Sequence, residues 1–366
     1  MKYSGIGGQA VLEGVMMKNK EKYAVAVRKP DGEITVDTKE YYGLIKNKTL
    51  RNIPILRGVL SFVESLTLGI STLTYSASFF EEDEEDTKAK KKELSKEAAA
   101  KKEKAEMGIT VAFSFVLAIG IFMILPYYLS LIFQKFITSH VALALIEGVI
   151  RMMIFLAYIA SISLMKDIQR VFMYHGAEHK CINCIEHGME LNVENVRKSS
   201  RLHKRCGTSF LLIVMIVSIV VFMFIRVESR ILKVVLRLLL IPVIAGVSYE
   251  FIRLAGKSDN PVVNFLSKPG LWLQKLTTRE PDDSMIEVGI ASVEAVFDWK
   301  AFLEEEKTEN EEEPVEEVKE KVKEKVEDEI EILSIDDEDD EEEEGGKSKI
   351  KFAPLASDEE KKESDT

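Results

Sequence analysis

Apolar positions in this chain gather into a few long runs, and polar positions into a few dense blocks. Thr110 to Ile137 is apolar over almost its whole length, and Val141 to Met165 follows after a short turn. Ser209 to Ile225 is a third such run, and Ile231 to Ala255 a fourth. At 1.5 Å per helical residue, about 20 residues cross a bilayer, so the pattern predicts four spans. The fourth is apolar only in its centre, because Lys233 and Arg237 lie near its start and Glu250 and Arg253 near its end. Residues 53–80 are long enough to span as well, but they contain Arg57 and Glu64. Their spacing of seven puts both on one helix face. That helix either lies in the interface or spans with its charges turned toward other helices. Glu147 and Arg151 stand at i, i+4 in the second run and can pair inside the bundle.

The strand pattern is shorter. Tyr23, Val25 and Val27 alternate, Pro30-Asp31-Gly32 supplies turn chemistry, and Ile34 and Val36 alternate again. A strand–turn–strand hairpin is predicted, one that must pack on something else because a lone hairpin is marginal in water. Residues 4–18 are rich in glycine and read as a loop, yet Val11, Leu12, Val15 and Met16 are too apolar for a solvated tail. Gln9 and Glu13 are the polar exceptions there and become candidates for contact with a site. The fold class is therefore mainly α: a polytopic membrane helical bundle of about four spans plus one amphipathic or re-entrant helix, with a small N-terminal β-hairpin.

The division that follows is 1–50, Gly-rich loop and hairpin; 51–80, amphipathic or membrane helix; 81–108, charged linker; and 109–166, first transmembrane hairpin. It continues with 167–208, a His/Cys-rich loop; 209–256, second transmembrane hairpin; 257–303, interfacial helices; and 304–366, a disordered acidic tail. Asp283-Ser284 is placed to cap a helix running through Phe297.

Charge sharpens this picture. The formal net charge is −12, but residues 304–366 hold 29 acidic and 10 basic side chains, a balance of −19, so the remainder carries +7. A basic body with apolar runs suits an anionic membrane face. It suits nucleic acid poorly, since no basic stripe with interleaved aromatics occurs. The N-terminus has no basic region followed by an apolar one, so no cleavable signal is expected. Eight Lys and Arg residues between 166 and 208 place that loop in the cytoplasm by the positive-inside rule. The protein is expected in the cell membrane, multi-pass, with both termini and the loop cytoplasmic. Its expected partners are membrane lipids, a lipid or membrane-peptide substrate, no nucleic acid, and copies of itself as a homo-oligomer.

Four of the five histidines and all three cysteines lie between Tyr174 and Gly207. On a helix, His175 and His179 share a face with Glu178 beside them. This is the His-x-x-Glu-His arrangement in which two imidazoles bind a metal and the carboxylate acts as general base. A third ligand is needed, and His203 and Cys206 are the first candidates, then Cys184 and Glu186. The expected cofactor is a divalent transition metal, zinc by ligand type. Other readings stay open. Cys181, Cys184, His203 and Cys206 could form a closed structural site, or the histidines could bind headgroups at a helix end. No Gly-x-Ser-x-Gly elbow, Walker loop or dinucleotide fingerprint is present.

Several stretches together carry a family resemblance: Gly7-Gly8-Gln9-Ala10-Val11-Leu12-Glu13-Gly14-Val15-Met16-Met17, Tyr174-His175-Gly176-Ala177-Glu178-His179-Lys180, Glu194-Asn195-Val196-Arg197, Arg205-Cys206-Gly207-Thr208-Ser209-Phe210 and Thr278-Arg279-Glu280-Pro281. Over roughly residues 4–300 the chain resembles the YqhQ-like family, bacterial multi-pass membrane proteins of unknown function labelled as predicted metal-dependent enzymes. The resemblance implies a membrane protein with a metal site. The chain departs from the family pattern at Lys204, where proline is common, and at Cys181, which makes Cys184 and Cys206 the better sulfur ligands. Linker 81–107 and the acidic tail lie outside the family core.

Two functions follow. The first is a membrane metal-dependent hydrolase with His175 and His179 as ligands, His203 or Cys206 completing the shell, and Glu178 as the base. The second is a non-enzymatic channel, transporter or scaffold in which Arg57, Glu64, Glu147 and Arg151 matter most and the His/Cys cluster is structural or sensory.

Overall fold

The computed structural model describes residues 3–45, 49, 52–80, 96–256 and 260–311. Most of the charged linker and of the acidic tail lies outside the described residues. The N-terminal sheet is larger than the hairpin the sequence predicts. It is a four-stranded antiparallel meander of β1 (Gly7–Val11), β2 (Gly14–Asn19), β3 (Lys22–Arg28) and β4 (Ile34–Glu40), ordered as in the chain. The glycine-rich stretch read as a loop therefore forms β1 and β2. Glycine is a poor strand former, and here it is selected by close approach instead. A Cβ on Gly14 would run into the carbonyl oxygen of Ala26, and one on Gly8 would meet the Glu178 side chain at 2.6 Å. Val11 pairs with Gly14, so Leu12-Glu13 makes the turn, with Glu13 at φ 49°.

Helix α1 is Leu56–Ala77. One face of the sheet, with Val11, Met16 and Val25, covers its residue Leu68. The other face, with Val15, Met17, Ala24 and Ala26, packs on α5 (Lys166–Glu186) and α10 (Asp283–Glu294).

Four helices are long and apolar enough to cross a membrane: α1, the continuous run Ala105–Lys135, α4 (His140–Ile162) and α8 (Arg230–Ala255). Helix α7 (Gly207–Met223) is as apolar but has 17 residues. The run Ala105–Lys135 joins α2 (Lys96–Ile119) and α3 (Leu125–Ser130) through a π-helical turn at Gly120–Ile124. Pro126, which has no N–H to give and crowds the preceding turn, accounts for that irregularity.

The contacts of α1 decide its placement within the bundle. Its start crosses the last third of α8, where Gly58 and Gly246 let the backbones approach and Arg57 bonds Glu250 through Nε at 2.6 Å and through Nη2. Phe62 lies 5.7 Å from Phe210 in the first turn of α7. Glu64 accepts from Leu44 N at 2.9 Å, and Ser76 Oγ accepts from Leu12 N at 3.1 Å. Arg57 and Glu64 thus turn to different partners. The contacts of Glu64 and Ser76 reach back to the N-terminal segment, and those of the first two turns of α1 fall where α8 finishes and α7 begins. Helix α9 (Pro261–Thr277) lies there too, with Gly270 against Ser209 and Leu273 buried among Phe155, Ile159 and Leu212. Val262, Phe265, Leu266 and Trp272 are exposed on its other side. The cap of α10 is Asp282, which accepts from Met285 N at 3.0 Å, one residue before the predicted pair.

Gly14→Ala should lower stability by about 1–3 kcal/mol, because the clash is with backbone that cannot rotate away. Thermal unfolding of the detergent-purified chain measures this, and an unchanged midpoint would show that the turn relaxes freely.

Candidate metal centre

Helix α5 is the least apolar of the long helices, yet twelve of its residues, from Tyr174 through Glu186, are buried. The sheet covers one side of it, and the segment between Val193 and Cys206 together with α9 covers the other. Gly176 fits against the carbonyl of Arg279, where no side chain has room. Gly188, at φ 74°, ends the helix in a left-handed turn with its N–H on Ile185 O at 3.0 Å.

The helical spacing brings His175 and His179 together with ring centroids 4.4 Å apart. Each imidazole is fixed from behind by backbone. His175 Nδ1 lies 2.9 Å from Thr277 O, and His179 Nδ1 lies 2.7 Å from Arg201 O. A carbonyl only accepts, so each Nδ1 carries the proton and donates it. Both Nε2 atoms are left facing the centre. Cys206 Sγ stands 3.3 Å from His175 Nε2, and the ligand atoms of His175, His179 and Cys206 all lie within 4.8 Å of one another. Cys206 is also the N-cap of α7, its sulfur accepting from Thr208 N at 3.4 Å. Helix N-termini favour anions, so the position suits a thiolate. Glu178 is buried with Oε2 3.4 Å from His179 Nε2 and 3.9 Å from His175 Nε2.

The electrostatics agree with the geometry. Burial pushes the Cys206 thiol up, but the imidazoles of His175 and His179 outweigh it and hold the group well below its ordinary value. Burial pushes both histidines down, and charge on Cys206 more than reverses it, raising His175 and taking His179 to about 9. The three groups form a charge-coupled set whose protons a divalent cation would displace. Two imidazoles held by carbonyls and one cysteine form a group that could hold a metal ion.

Other residues singled out by the sequence lie elsewhere. The His203 ring lies 5.7 Å from that of His179, but its Nε2 faces Glu186 Oε2 at 3.4 Å, outside the three-residue group. Cys184 Sγ turns to the carbonyls of Met189 and Glu190, and Cys181 packs against Gly289 in the core. The closed set of Cys181, Cys184, His203 and Cys206 is not brought together. Gln9 Nε2 reaches Gly69 O at 3.4 Å, and Glu13 accepts from Arg170 and, at 3.2 Å, from Tyr174 OH. From that glycine-rich stretch it is Gly8 that touches Glu178. The carbonyls of Thr277 and Arg201 escaped the sequence reading, since an anchoring carbonyl leaves no mark on residue type. Arg57, Glu64, Glu147 and Arg151 all lie apart from this centre. Glu147 and Arg151 form the expected pair at 2.6 Å, joined by Arg237.

A family profile described as protein of unknown function (DUF1385) matches residues 53–299. The chain is 35% identical over 300 residues to "Uncharacterized protein YqhQ" of Bacillus subtilis (strain 168), covering 82% of this chain and 94% of that protein. No solved structure matches.

Glu186 sets the loop that delivers Cys206. It is fully buried and accepts from Ser4 N at 3.0 Å, Ser4 Oγ at 2.7 Å and Arg205 Nη2 at 2.6 Å, with His203 Nε2 at 3.4 Å. Burial pushes its carboxyl up, but His203 and Arg205 outweigh burial and bring it down from 4.5 to about 2. A depressed carboxyl stabilises the fold above its unfolded value, and that stability is lost as pH falls from 4.5 toward 2. Glu186→Gln should therefore cost about 3 kcal/mol at pH 7, with the gap to the native chain closing below pH ~4.5. Unfolding midpoints across pH measure it, and a gap independent of pH would refute the assignment.

Proposed function

The chain belongs to the DUF1385 family of proteins of unknown function, and from the geometry of the His/Cys group and the apolar helices we propose that it is a membrane metal-dependent hydrolase. Its site would lie at the cytoplasmic membrane surface. The observation that carries the reading is the convergence of His175 Nε2, His179 Nε2 and Cys206 Sγ, with both Nδ1 atoms anchored on carbonyls and Glu178 beside them. His175, His179 and Cys206 would hold a divalent transition metal, zinc by donor type. Such an ion, when bound, supplies Lewis acidity and brings the pKa of water in its shell toward ~7.

The chain's own residues supply the rest. Thr277 O and Arg201 O orient the imidazoles and keep their tautomers fixed. Glu178 takes the proton of the attacking water and passes it to the leaving group, the role a buried carboxylate next to the ligands can fill. Gly8 leaves that carboxylate room that any side chain would occupy. The substrate is read from location. The site sits where α4 and α8 finish and α7 begins, against the end of α9, so a lipid, a lipid-linked precursor or a membrane peptide would reach it from the bilayer. The basic residues of 166–208 favour the cytoplasmic face.

Elemental analysis of the detergent-purified chain is expected to give one transition metal per chain, lost in His175→Ala/His179→Ala. Metal at background level in the native chain would overturn the reading. Cys206→Ser should weaken retention by about 10–100-fold, read by competition with a chelator. Glu178→Gln should keep the metal and lower turnover of membrane-embedded ester and amide substrates by about 10²–10⁴. Full turnover in that variant would remove Glu178 from the base role.

A further inference from the structure

At the opposite end of the bundle, where α4 and α8 begin and α7 finishes, three helices share a buried cluster of charge. Glu147, Arg151 and Arg237 are 4%, 4% and 3% exposed. Glu147 accepts from Arg151 Nη2 at 2.6 Å and from Arg237 Nη1 and Nη2 at 2.6 and 2.7 Å. Arg151 Nη1 donates to Ser218 Oγ at 2.9 Å. Two guanidinium groups thus share one carboxylate, and among the described residues no second carboxylate bonds either of them. The Nε atoms of both arginines are buried without a partner. The rings of Phe222 and Tyr127 face the guanidinium groups at 4.8–5.0 Å but bring no formal charge. In a low-dielectric bundle an uncompensated cation is costly, and buried charges there mark ligand or ion sites by default.

The cluster is also approached by more positive charge. Arg230, Lys233 and Arg237 fall at i, i+3 and i+7 on α8, one face of the helix. Along that stripe burial rises from exposed Arg230 through half-buried Lys233 to buried Arg237. Lys233 Nζ sits 5.8 Å over the Tyr127 ring that also covers Arg237. Such a graded row of cations leading to a buried pair draws in an anion by charge. Arginine's planar fork, with Nε still free on both groups, suits an oxyanion with several acceptor atoms better than a halide.

We propose that the end of the bundle remote from the His/Cys centre is a phosphate-class anion site, entered along Arg230 and Lys233 and closed by Arg151 and Arg237. The same chemistry is offered by the phosphodiester of a lipid headgroup and by free phosphate. Glu147 holds the two guanidinium groups in register for it, and Ser218 fixes Arg151. The site is independent of the hydrolase reading, because no residue is shared between them.

The test uses the full chain. In neutral detergent it is titrated with inorganic phosphate against potassium chloride of matched ionic strength. In parallel it is placed in phosphatidylcholine nanodiscs with and without phosphatidylglycerol. Thermal unfolding is followed in both, and native mass spectrometry reads retained lipid. A rise in midpoint with phosphate beyond chloride identifies the free ion. A rise with phosphatidylglycerol alone, with the lipid retained, identifies the headgroup. Lys233→Gln, which leaves the buried pairs intact, should weaken the response about fivefold. Glu147→Gln, which removes the cluster's carboxylate, should strengthen the response if that variant folds. Should it not fold, Lys233→Gln decides. No response beyond chloride from either source, or a Lys233→Gln response equal to that of the native chain, overturns the proposal.

Discussion

The structure rests on the burial of a polar helix. Side chains along α5 enter a dry environment, and each polar group among them must find a partner or destabilise the fold. They find backbone. Lys180 Nζ donates to Arg197 O at 2.8 Å, Asn183 Nδ2 to Ser200 O and Leu202 O, and His179 Nδ1 to Arg201 O. His175 does the same with Thr277 O from α9. Glu186 works in the opposite sense, accepting from Ser4 and Arg205. The segment from Arg197 to Leu202 has little regular structure of its own, and it is held by being the hydrogen-bond complement of α5. Its extension to Cys206 brings the sulfur to the imidazoles.

This explains why the centre is assembled from parts so far apart in the chain. The sheet closes one side of α5 with Val15, Met17, Ala24 and Ala26. The bundle closes the other through α9, whose Gln274 bonds His203 O and Ser209 Oγ, both at 2.7 Å. The N-terminal sheet, the polar helix and the apolar helices therefore meet around one set of side chains. A rigid scaffold thus fixes the three side chains beside the apolar helices.

The bundle solves the same problem of buried charge differently. Where α5 sets its polar groups against carbonyls, α1, α4 and α8 pair their charges with each other. At Arg57–Glu250 the balance is one to one. At Glu147, Arg151 and Arg237 it is two cations to one anion. That difference sets the second location apart from simple helix fastening.

The apolar runs, with their 3.6-residue geometry and bilayer length, were sufficient to define a mainly helical fold with helices long and apolar enough to span. The His-x-x-Glu-His spacing likewise placed two imidazoles and a carboxylate on one helix, because such periodicities are local and belong to the chain alone. Glu147 and Arg151 were legible for the same reason, being one turn apart. Arg237 was not paired with them, because it joins from a helix 90 residues away. The glycine-rich start concealed β1 and β2, since its glycines answer to Ala26 O and Glu178, contacts that composition does not record. The sequence left His203, Cys206 and Cys184 as rival ligands and α1 as span or surface helix. Only the tertiary structure turned His203 to Glu186, kept Cys184 in the core and left Cys206 facing the histidines. It also set the start of α1 against the last third of α8. Each of those outcomes depends on which distant backbone carbonyl or carboxylate stands opposite, and that is fixed by packing between elements rather than by residue order within one.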